Sequence, residues 1–201
     1  MVLPERSRML DLLNEERQFI YQWLGSLLSS ELTDEQITCY QVGDFDSLFQ
    51  FLDELGFHQQ IAQIKTALQP QSDLRLELAA DFAHCFLLEG SLSAVPYLSA
   101  YLEDEALNNA LKEIDSWLAH YRLGINRLYN EPCDHISIII SILMKLIDTR
   151  SYEEQRRFVK IVLLNWLPQF AKKAAKIRLK TEFYPALISL LVEFIRKDFQ
   201  E

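Results

Sequence analysis

The sequence predicts an all-α fold of nine or ten helices. Nearly every segment repeats apolar residues at the helical spacing of three and four positions, and none alternates convincingly as a strand would. Only five glycines and six prolines occur in 201 residues, which leaves few breakers for a many-turned β fold. With 49% apolar and 11% aromatic residues the chain has material for a core, and a chain of this length removes about 70% of its surface from water on folding.

The first four predicted helices lie before Pro70. The first has an apolar stripe, interrupted at that spacing only by Arg17, which comprises Leu10, Leu13, Ile20, Leu24, Leu27 and Leu28. Thr33 followed by Gln36 is a capping box that opens the second helix. Gly56 ends the third, because glycine adopts the left-handed conformation that terminates helices. Pro70 stops the fourth.

The fifth predicted helix begins after Ser72, which is expected to cap it, and ends at Gly90. It is apolar most of the way round, which predicts a central position in the fold. Glu77, Asp81 and His84 interrupt this surface. Because an unpaired buried charge is costly, each must reach the surface or find a partner.

A loop over 91–101 and an amphipathic helix over 103–121 follow. Residues 124–131 lack periodicity and lie where the charge balance of the chain changes sign, so we expect a hinge there. The predicted organisation is therefore an N-terminal helical lobe over 1–123 and a C-terminal helical lobe over 132–201.

The C-terminal helices have clear start signals. Pro132 fits the first turn of a helix, where its missing N–H costs nothing. The buried face of this helix is predicted to comprise Ile136, Ile139, Ile140, Leu143 and Ile147. Ser151 with Glu154 is a second capping box. Pro168 kinks or restarts the chain, and Thr181 is expected to cap the last helix.

Charge narrows the classes of partner. The net charge of −9 opposes non-specific binding to nucleic acid, whose phosphates would be repelled. Residues 1–130 carry a net charge of −12 and residues 131–201 carry +3. The acidic part suits a cationic partner, or is simply a solvated helical surface. The basic run over 172–180 has the same two interpretations, a binding surface or a solvated helix face.

The sequence also predicts a cytoplasmic protein without membrane insertion. No apolar run approaches the length of about 20 residues that a membrane-spanning helix needs. The first ten residues carry charges and no apolar h-region, so no secretory signal is recognised. The three cysteines are odd in number and widely separated, so reduced thiols are expected.

Motifs for cofactors are absent from the sequence, and neither a cofactor nor a metal is expected. There is no phosphate-binding Gly-x-x-x-x-Gly-Lys-Ser/Thr and no Gly-x-Gly-x-x-Gly. Zinc ligation by His84 and Cys85 with Cys133 and His135 is disfavoured, because neighbouring residues on a helix point about 100° apart.

The most informative short stretch runs from Glu131 to His135. Because Pro132 fixes a helix start, Asp134 and His135 are predicted to lie in the first helical turn. The free N–H groups there favour an acid, whereas they disfavour a protonated imidazole. An acid and a neutral imidazole together could accept hydrogen bonds from guanidinium or amide donors.

The sequence resembles the TorD/DmsD family of molybdoenzyme chaperones, and most of all the members that serve trimethylamine N-oxide reductase. The resemblance rests on five motifs in the family's order, at 76–82 (Leu-Glu-Leu-Ala-Ala-Asp-Phe), 96–101 (Pro-Tyr-x-Ser-x-Tyr), 131–135 (Glu-Pro-x-Asp-His), 166–170 (Trp-Leu-Pro-x-Phe) and 183–187 (Phe-Tyr-x-Ala-Leu). Residues 1–70 match only loosely.

This resemblance implies a non-enzymatic cytoplasmic chaperone. It implies binding to the twin-arginine signal peptide and to the body of the immature reductase, which is held until the molybdopterin cofactor is inserted before export. It also implies weak binding of guanine nucleotides, for which the sequence has no phosphate-binding pattern.

The resemblance further implies a client-binding site. Asp134 and His135 are the expected peptide-contacting pair, in the motif that Glu131 and Pro132 begin. Three more expected residues line a groove from the loop, at Tyr97, Ser99 and Tyr101, and Asp81 is expected as a second acidic contact. The alternatives are packing roles for the two tyrosines, a structural hydrogen-bond hub at Asp81, and a core histidine at His135.

Two other functions stay open at this point. One is a metal-dependent hydrolase that uses Asp134 and His135 as acid, base or ligands, with Glu77 and His84. The other is a generic helical adaptor, which would show no preference for paired arginines. The hinge also predicts a homodimer formed by exchange of a lobe between identical chains.

Overall fold

The computed structural model describes residues 10–88, 93–123 and 132–200. Within these ranges the chain forms ten α-helices and no strand, which confirms the all-α prediction. The helices are α1 (Asn14–Ser29), α2 (Asp34–Gln41), α3 (Asp46–Glu54), α4 (His58–Ala67), α5 (Leu74–Phe82), α6 (Asp104–Tyr121), α7 (Ile136–Thr149), α8 (Tyr152–Phe158), α9 (Leu167–Ala174) and α10 (Phe183–Phe199). None of these helices combines the length and apolarity needed to cross a bilayer.

Three of the predicted local start and stop signals are confirmed. The Thr33 hydroxyl accepts a hydrogen bond from the backbone N–H of Gln36, whose side chain accepts one from the N–H of Thr33. The same reciprocal pair joins Ser151 and Glu154. Gly56 follows α3 with φ +88°, the left-handed conformation that glycine adopts without strain.

Three details of the predicted helix starts are wrong. Ser72 does not cap α5, which follows Asp73, because the Ser72 hydroxyl donates to the Asp73 carboxylate instead. Leu13 is not part of the buried stripe, since it precedes the first turn of α1 and is 69% exposed. Thr181 is also not the N-cap of α10, which is Glu182, although the Thr181 hydroxyl accepts a hydrogen bond from the N–H of Phe183 at the helix start.

Helix α5 is less central than its composition predicts. Its chain continues into a π-helical turn over Ala83–Leu87, and Leu74, Leu78, Phe82 and Phe86 are buried. The opposite side carries Leu76, Ala80 and Leu87, and Leu88 follows the turn with an extended backbone; all four are exposed to solvent. We call these four residues the α5 apolar face. The predicted end of this helix at Gly90 lies outside the described residues.

The buried core is one cluster that includes helices from both predicted lobes. Helix α1 packs along α7, and α10 packs on α4 and α9. The two-helix contact between α1 and α7 is close at Gly25, where an added Cβ would lie 3.2 Å from Ile140 Cγ2. The division into lobes stays a prediction, because its hinge at 124–131 lies outside the described residues.

A buried ion pair joins the first helix to the last. The Arg17 guanidinium donates from Nε to both carboxylate oxygens of Asp198, at 2.8 and 3.0 Å. The Tyr21 hydroxyl donates to the same carboxylate at 2.8 Å. Burial raises the pKa of the Asp198 carboxyl, and the attraction of Arg17 offsets only part of that effect. The polar residue that interrupts the predicted α1 stripe therefore has a buried partner.

Replacing Asp198→Ala should lower the free energy of unfolding by about 3–5 kcal/mol, because it leaves the Arg17 charge buried without a partner. Urea denaturation at pH 7 measures this loss. The control is Glu31→Ala, which breaks the half-exposed pair with Arg75 at 3.5 Å and should cost about 1 kcal/mol or less. Equal losses in the two variants would contradict a structural role of the buried pair.

Candidate functional site

Aromatic residues from four of the five motif regions meet in one buried cluster. We call it the aromatic cluster. Its motif residues are Phe82, Tyr101, Trp166, Phe170 and Tyr184, and Phe86 of the π-helical turn joins them. Phe170 links its two sides, with its ring centroid 6.3 Å from that of Phe86 and 5.9 Å from that of Tyr101. Motifs about 100 residues apart in sequence are therefore neighbours in the fold.

Tyr101 is a packing residue of this cluster. Its ring stacks on Trp166 at a centroid distance of 5.4 Å. The hydroxyl groups of Tyr101 and Tyr184 are both buried and have no hydrogen-bond partner among the described residues. Burial raises the pKa of each phenol, so both stay neutral. An unpaired buried hydroxyl costs about 1–3 kcal/mol of stability. The packing of the rings therefore has to offset the desolvation of these two hydroxyl groups.

The remaining motif, at 131–135, lies beside the loop at 96–101, and backbone hydrogen bonds join the two segments. The N–H of Ile136 donates to the carbonyl of Pro96 at 2.9 Å, and the N–H of Leu98 donates to the carbonyl of Asp134 at 3.1 Å. These bonds form an isolated antiparallel bridge between Tyr97 and His135. The structure thus brings the predicted loop residues beside the predicted acid and imidazole.

The Asp134 side chain strengthens the same attachment. Its Oδ2 atom accepts a hydrogen bond from the backbone N–H of Ser99 at 2.9 Å. Asp134 is only 5% exposed. Its Oδ1 atom accepts no hydrogen bond from the residues that the structure describes. Asp134 therefore holds the loop with one oxygen and keeps the other as an acceptor.

His135 caps α7 rather than lying in its first turn, so the predicted helix start at Pro132 is wrong. The residues from Pro132 to His135 form a turn, closed by a hydrogen bond from the His135 N–H to the Pro132 carbonyl. The helix begins at Ile136 because the N–H of that residue pairs with Pro96 instead of with the turn. This bond to a distant segment has no local sequence signal.

The capping bond requires an acceptor nitrogen on the imidazole. His135 Nδ1 accepts from the N–H of Ser137 at 3.3 Å and lies 2.7 Å from the Ser137 hydroxyl. The positive end of the helix dipole also disfavours the imidazolium form. The ring packs edge-on against Tyr97 at 5.0 Å. These contacts agree with the neutral imidazole expected from the sequence.

Asp81 forms a structural hub. It is 1% exposed, and its oxygens accept hydrogen bonds from the backbone N–H groups of Lys180 and Thr181 at 2.7 Å each. The Thr181 hydroxyl donates to it at 2.8 Å. The carboxylate therefore holds the segment before α10, and its partners explain why an acid is tolerated inside α5. Glu77 and His84 of the same region lie nearer the surface.

The remaining site residues differ in accessibility. Ser99 and Pro132 are exposed, Tyr97 is half-buried, and His135 is 5% exposed like Asp134. Glu131 lies outside the described residues. Ser99 and Pro132 are therefore the most accessible of these residues.

The described ranges hold no arrangement of side chains suited to a metal ion. Residues 10–88, 93–123 and 132–200 contain no group of three His, Cys, Asp or Glu side chains that could hold a metal ion. All three cysteines are free thiols, and Cys85 is completely buried while His84 beside it is exposed.

Comparison with known proteins first defines the class. Residues 52–172, more than half of the chain, match the family described as nitrate reductase delta subunit. A relative from Aggregatibacter aphrophilus, named chaperone protein TorD, is 51% identical over 99% of this chain and 96% of its own length. Proteins of the same name from Actinobacillus pleuropneumoniae serotype 3 and Vibrio vulnificus are 47% and 36% identical, over 92% of this chain in each case.

The chain belongs to the TorD family of chaperone proteins within this class. The alignment with this relative extends over nearly the whole chain. It therefore includes the first 70 residues, for which the sequence motifs gave only a loose match. The protein is a chaperone and not an enzyme, since its relatives carry the chaperone name. The hydrolase alternative is therefore wrong.

Replacing Asp134→Ala should release the loop from the start of α7, because the Ser99 N–H loses a charged acceptor. We expect a loss of about 1.5–3 kcal/mol in stability and faster hydrogen exchange at the Ser99 amide, measured by NMR. Asp148→Ala, an exposed acid on α7, is the control and should change stability by about 0.5 kcal/mol or less. Unchanged protection of the Ser99 amide would show that the carboxylate does not hold the loop.

Proposed function

We propose that this protein is a cytoplasmic chaperone for the catalytic subunit of trimethylamine N-oxide reductase. It binds the twin-arginine signal peptide and the body of the immature enzyme, and holds them until the molybdopterin cofactor has been inserted before export. The observation that carries the proposal is the attachment of residues 134–136 to the aromatic cluster through the loop at 96–101. The names of the relatives support the choice of chaperone family.

Apolar contact supplies most of the affinity in this proposal. Association costs about 4–15 kcal/mol in lost freedom of motion. Each leucine-sized side chain that is buried on binding contributes about 1.5–3 kcal/mol of favourable free energy, so several of them are needed. The α5 apolar face offers such a surface, because its Leu76 and Leu87 are 69% and 62% exposed. Exposed apolar residues that cluster on one side of a helix are typical of interaction sites.

Polar groups set the register of the bound peptide. Asp134 Oδ1 is an acceptor for an arginine guanidinium that enters beside Ser99 and Pro132. Such a charge-assisted hydrogen bond contributes about 1.5–3 kcal/mol, which is enough to select among partners but too little to bind one alone. In this proposal Tyr97 and Tyr101 shape the loop, His135 lies at the same entrance, and Asp81 acts through the segment that it holds. Glu131 is expected to contact the peptide on the resemblance alone.

Calorimetric titration of the signal peptide into the full-length protein tests the proposal. Binding at tens of micromolar or tighter is expected, with at least tenfold weaker binding of a peptide that carries Lys-Lys in place of Arg-Arg, because lysine lacks the planar fork. Asp134→Asn should weaken binding about tenfold, whereas Asp148→Asn should leave it unchanged.

The opposite results separate the alternatives. No heat and no fluorescence change with an intact helical spectrum would contradict the chaperone role proposed here. Equal affinity for the Arg-Arg and Lys-Lys peptides would favour the generic helical adaptor, which would bind the apolar side chains and would not distinguish arginine from lysine.

We also propose that identical chains form a dimer by exchanging a lobe at 124–131. The support is that α1 packs on α7 and α10 packs on α4, so the main contacts link elements from the two sides of the predicted hinge. The same contacts formed between two chains would bury the same surface at little extra cost.

Partial unfolding and refolding at high protein concentration should therefore produce a stable dimer, detected by light scattering after size-exclusion chromatography. Refolding at low concentration is the control and should return the monomer, because exchange between chains is bimolecular. A monomer at every concentration would contradict lobe exchange.

A further inference from the structure

A groove between the first and third helices lies apart from the motif residues. We call it the α1–α3 groove. Its volume is about 630 Å³, within the range of about 300–1,000 Å³ that is usual for ligand sites. Its apolar lining comprises Phe19 and Ile20 of α1, Phe45 of the turn before α3, and Leu48 and Phe51 of α3.

The apolar lining is held in place from behind. The ring of Phe45 lies 4.3 Å from that of Tyr40, centroid to centroid. Tyr40 in turn accepts a hydrogen bond from the Trp23 indole at 2.8 Å and stacks on Phe49. The groove therefore exists before any ligand binds, which reduces the cost of ordering it.

Phe19 is the exposed member of this lining. It is 52% exposed, although its neighbour Ile20 is buried in the core. When a ligand covers an exposed phenylalanine ring at the edge of an apolar groove, the ring leaves water and the free energy of the complex is lowered.

Every charged residue that lines the groove in the described chain is acidic, namely Glu15, Glu16 and Asp44. Glu16 accepts a hydrogen bond from the Leu13 N–H with one oxygen, and the Cys39 thiol lies within hydrogen-bonding reach of Asp44. Glu15 is exposed. Arg17 of the same helix is turned into the core toward Asp198, so it does not neutralise the groove.

We propose that the α1–α3 groove binds an apolar peptide segment flanked by arginine or lysine. The apolar side chains of that segment cover Phe19 and the α3 residues, while its cations meet the acids at the rim. A second copy of this chain fits less well, because a symmetric contact would bring two acidic rims together. That the segment comes from the client rests on the proposed function, and the groove then acts as a second contact beside the motif site.

Charge reversal at the rim tests the proposal in the full-length protein. The probe is a synthetic peptide with two adjacent arginines followed by an apolar run, measured by fluorescence anisotropy at low salt. Glu15→Lys should weaken binding at least tenfold. The matched control is Glu153→Lys, which reverses an exposed acid at the same position in the first turn of another helix, and which should change the affinity less than twofold.

Substitution of the exposed ring tests the apolar part. Phe19→Ser should weaken binding at least tenfold, and Phe19→Leu should restore it to within about threefold of the unmodified protein. Since Phe19 is half exposed, neither variant should unfold the chain, and circular dichroism checks this. If Phe19→Ser does unfold, the charge-reversal pair decides the question alone.

The outcomes distinguish this inference from the proposed function. If the unmodified protein binds the peptide and both Glu15→Lys and Phe19→Ser bind it equally well, the groove is not the site and the proposed function stands. If the unmodified protein binds no such peptide, both fail. If the groove variants abolish a dimer in light scattering without changing peptide affinity, a second copy occupies the groove and the inference is overturned.

Discussion

Helix α7 has a broad apolar face on one side, and the need to cover it constrains the rest of the structure. Seven of its residues are buried, so other helices must pack on it, and α1, α6 and α8 do so. The N-terminal end of such a helix has its free N–H groups close to the core. His135 and the carbonyl of Pro96 satisfy two of them. The loop and the Asp-His pair are therefore fixed by the burial of α7.

The acidic side chains of this protein divide into two groups with different roles. Asp81, Asp134 and Asp198 are buried and accept hydrogen bonds from segments distant in sequence. Each fixes one segment against another, and each would be costly without its partner. Glu15 and Asp44 belong to the second group, which stays at the surface and keeps its electrostatic field available to a cationic partner. The net charge of −9 counts both groups, but only the second group is accessible to a partner.

Much of the helical architecture was determined by the sequence alone, because its signals act over three or four residues. The capping box of Thr33 and the left-handed Gly56 need no distant partner, and the structure contains both. The buried face of α7 was also predictable, since its isoleucines repeat at the helical period. The family motifs identified the class of protein, and the relatives confirm it.

Only the tertiary structure decided which polar residues meet. Arg17 pairs with a carboxylate 181 positions away, and Asp81 binds backbone groups 99 and 100 positions away. Helix α7 begins at Ile136 and not at the predicted Pro132, because the N–H of Ile136 donates to the carbonyl of Pro96 and not to a carbonyl of the preceding turn. No helical periodicity encodes such pairings, since they depend on how the helices pack. For the same reason the sequence determined which stretches are helical, and the packing determined which of their faces stayed exposed to bind a partner.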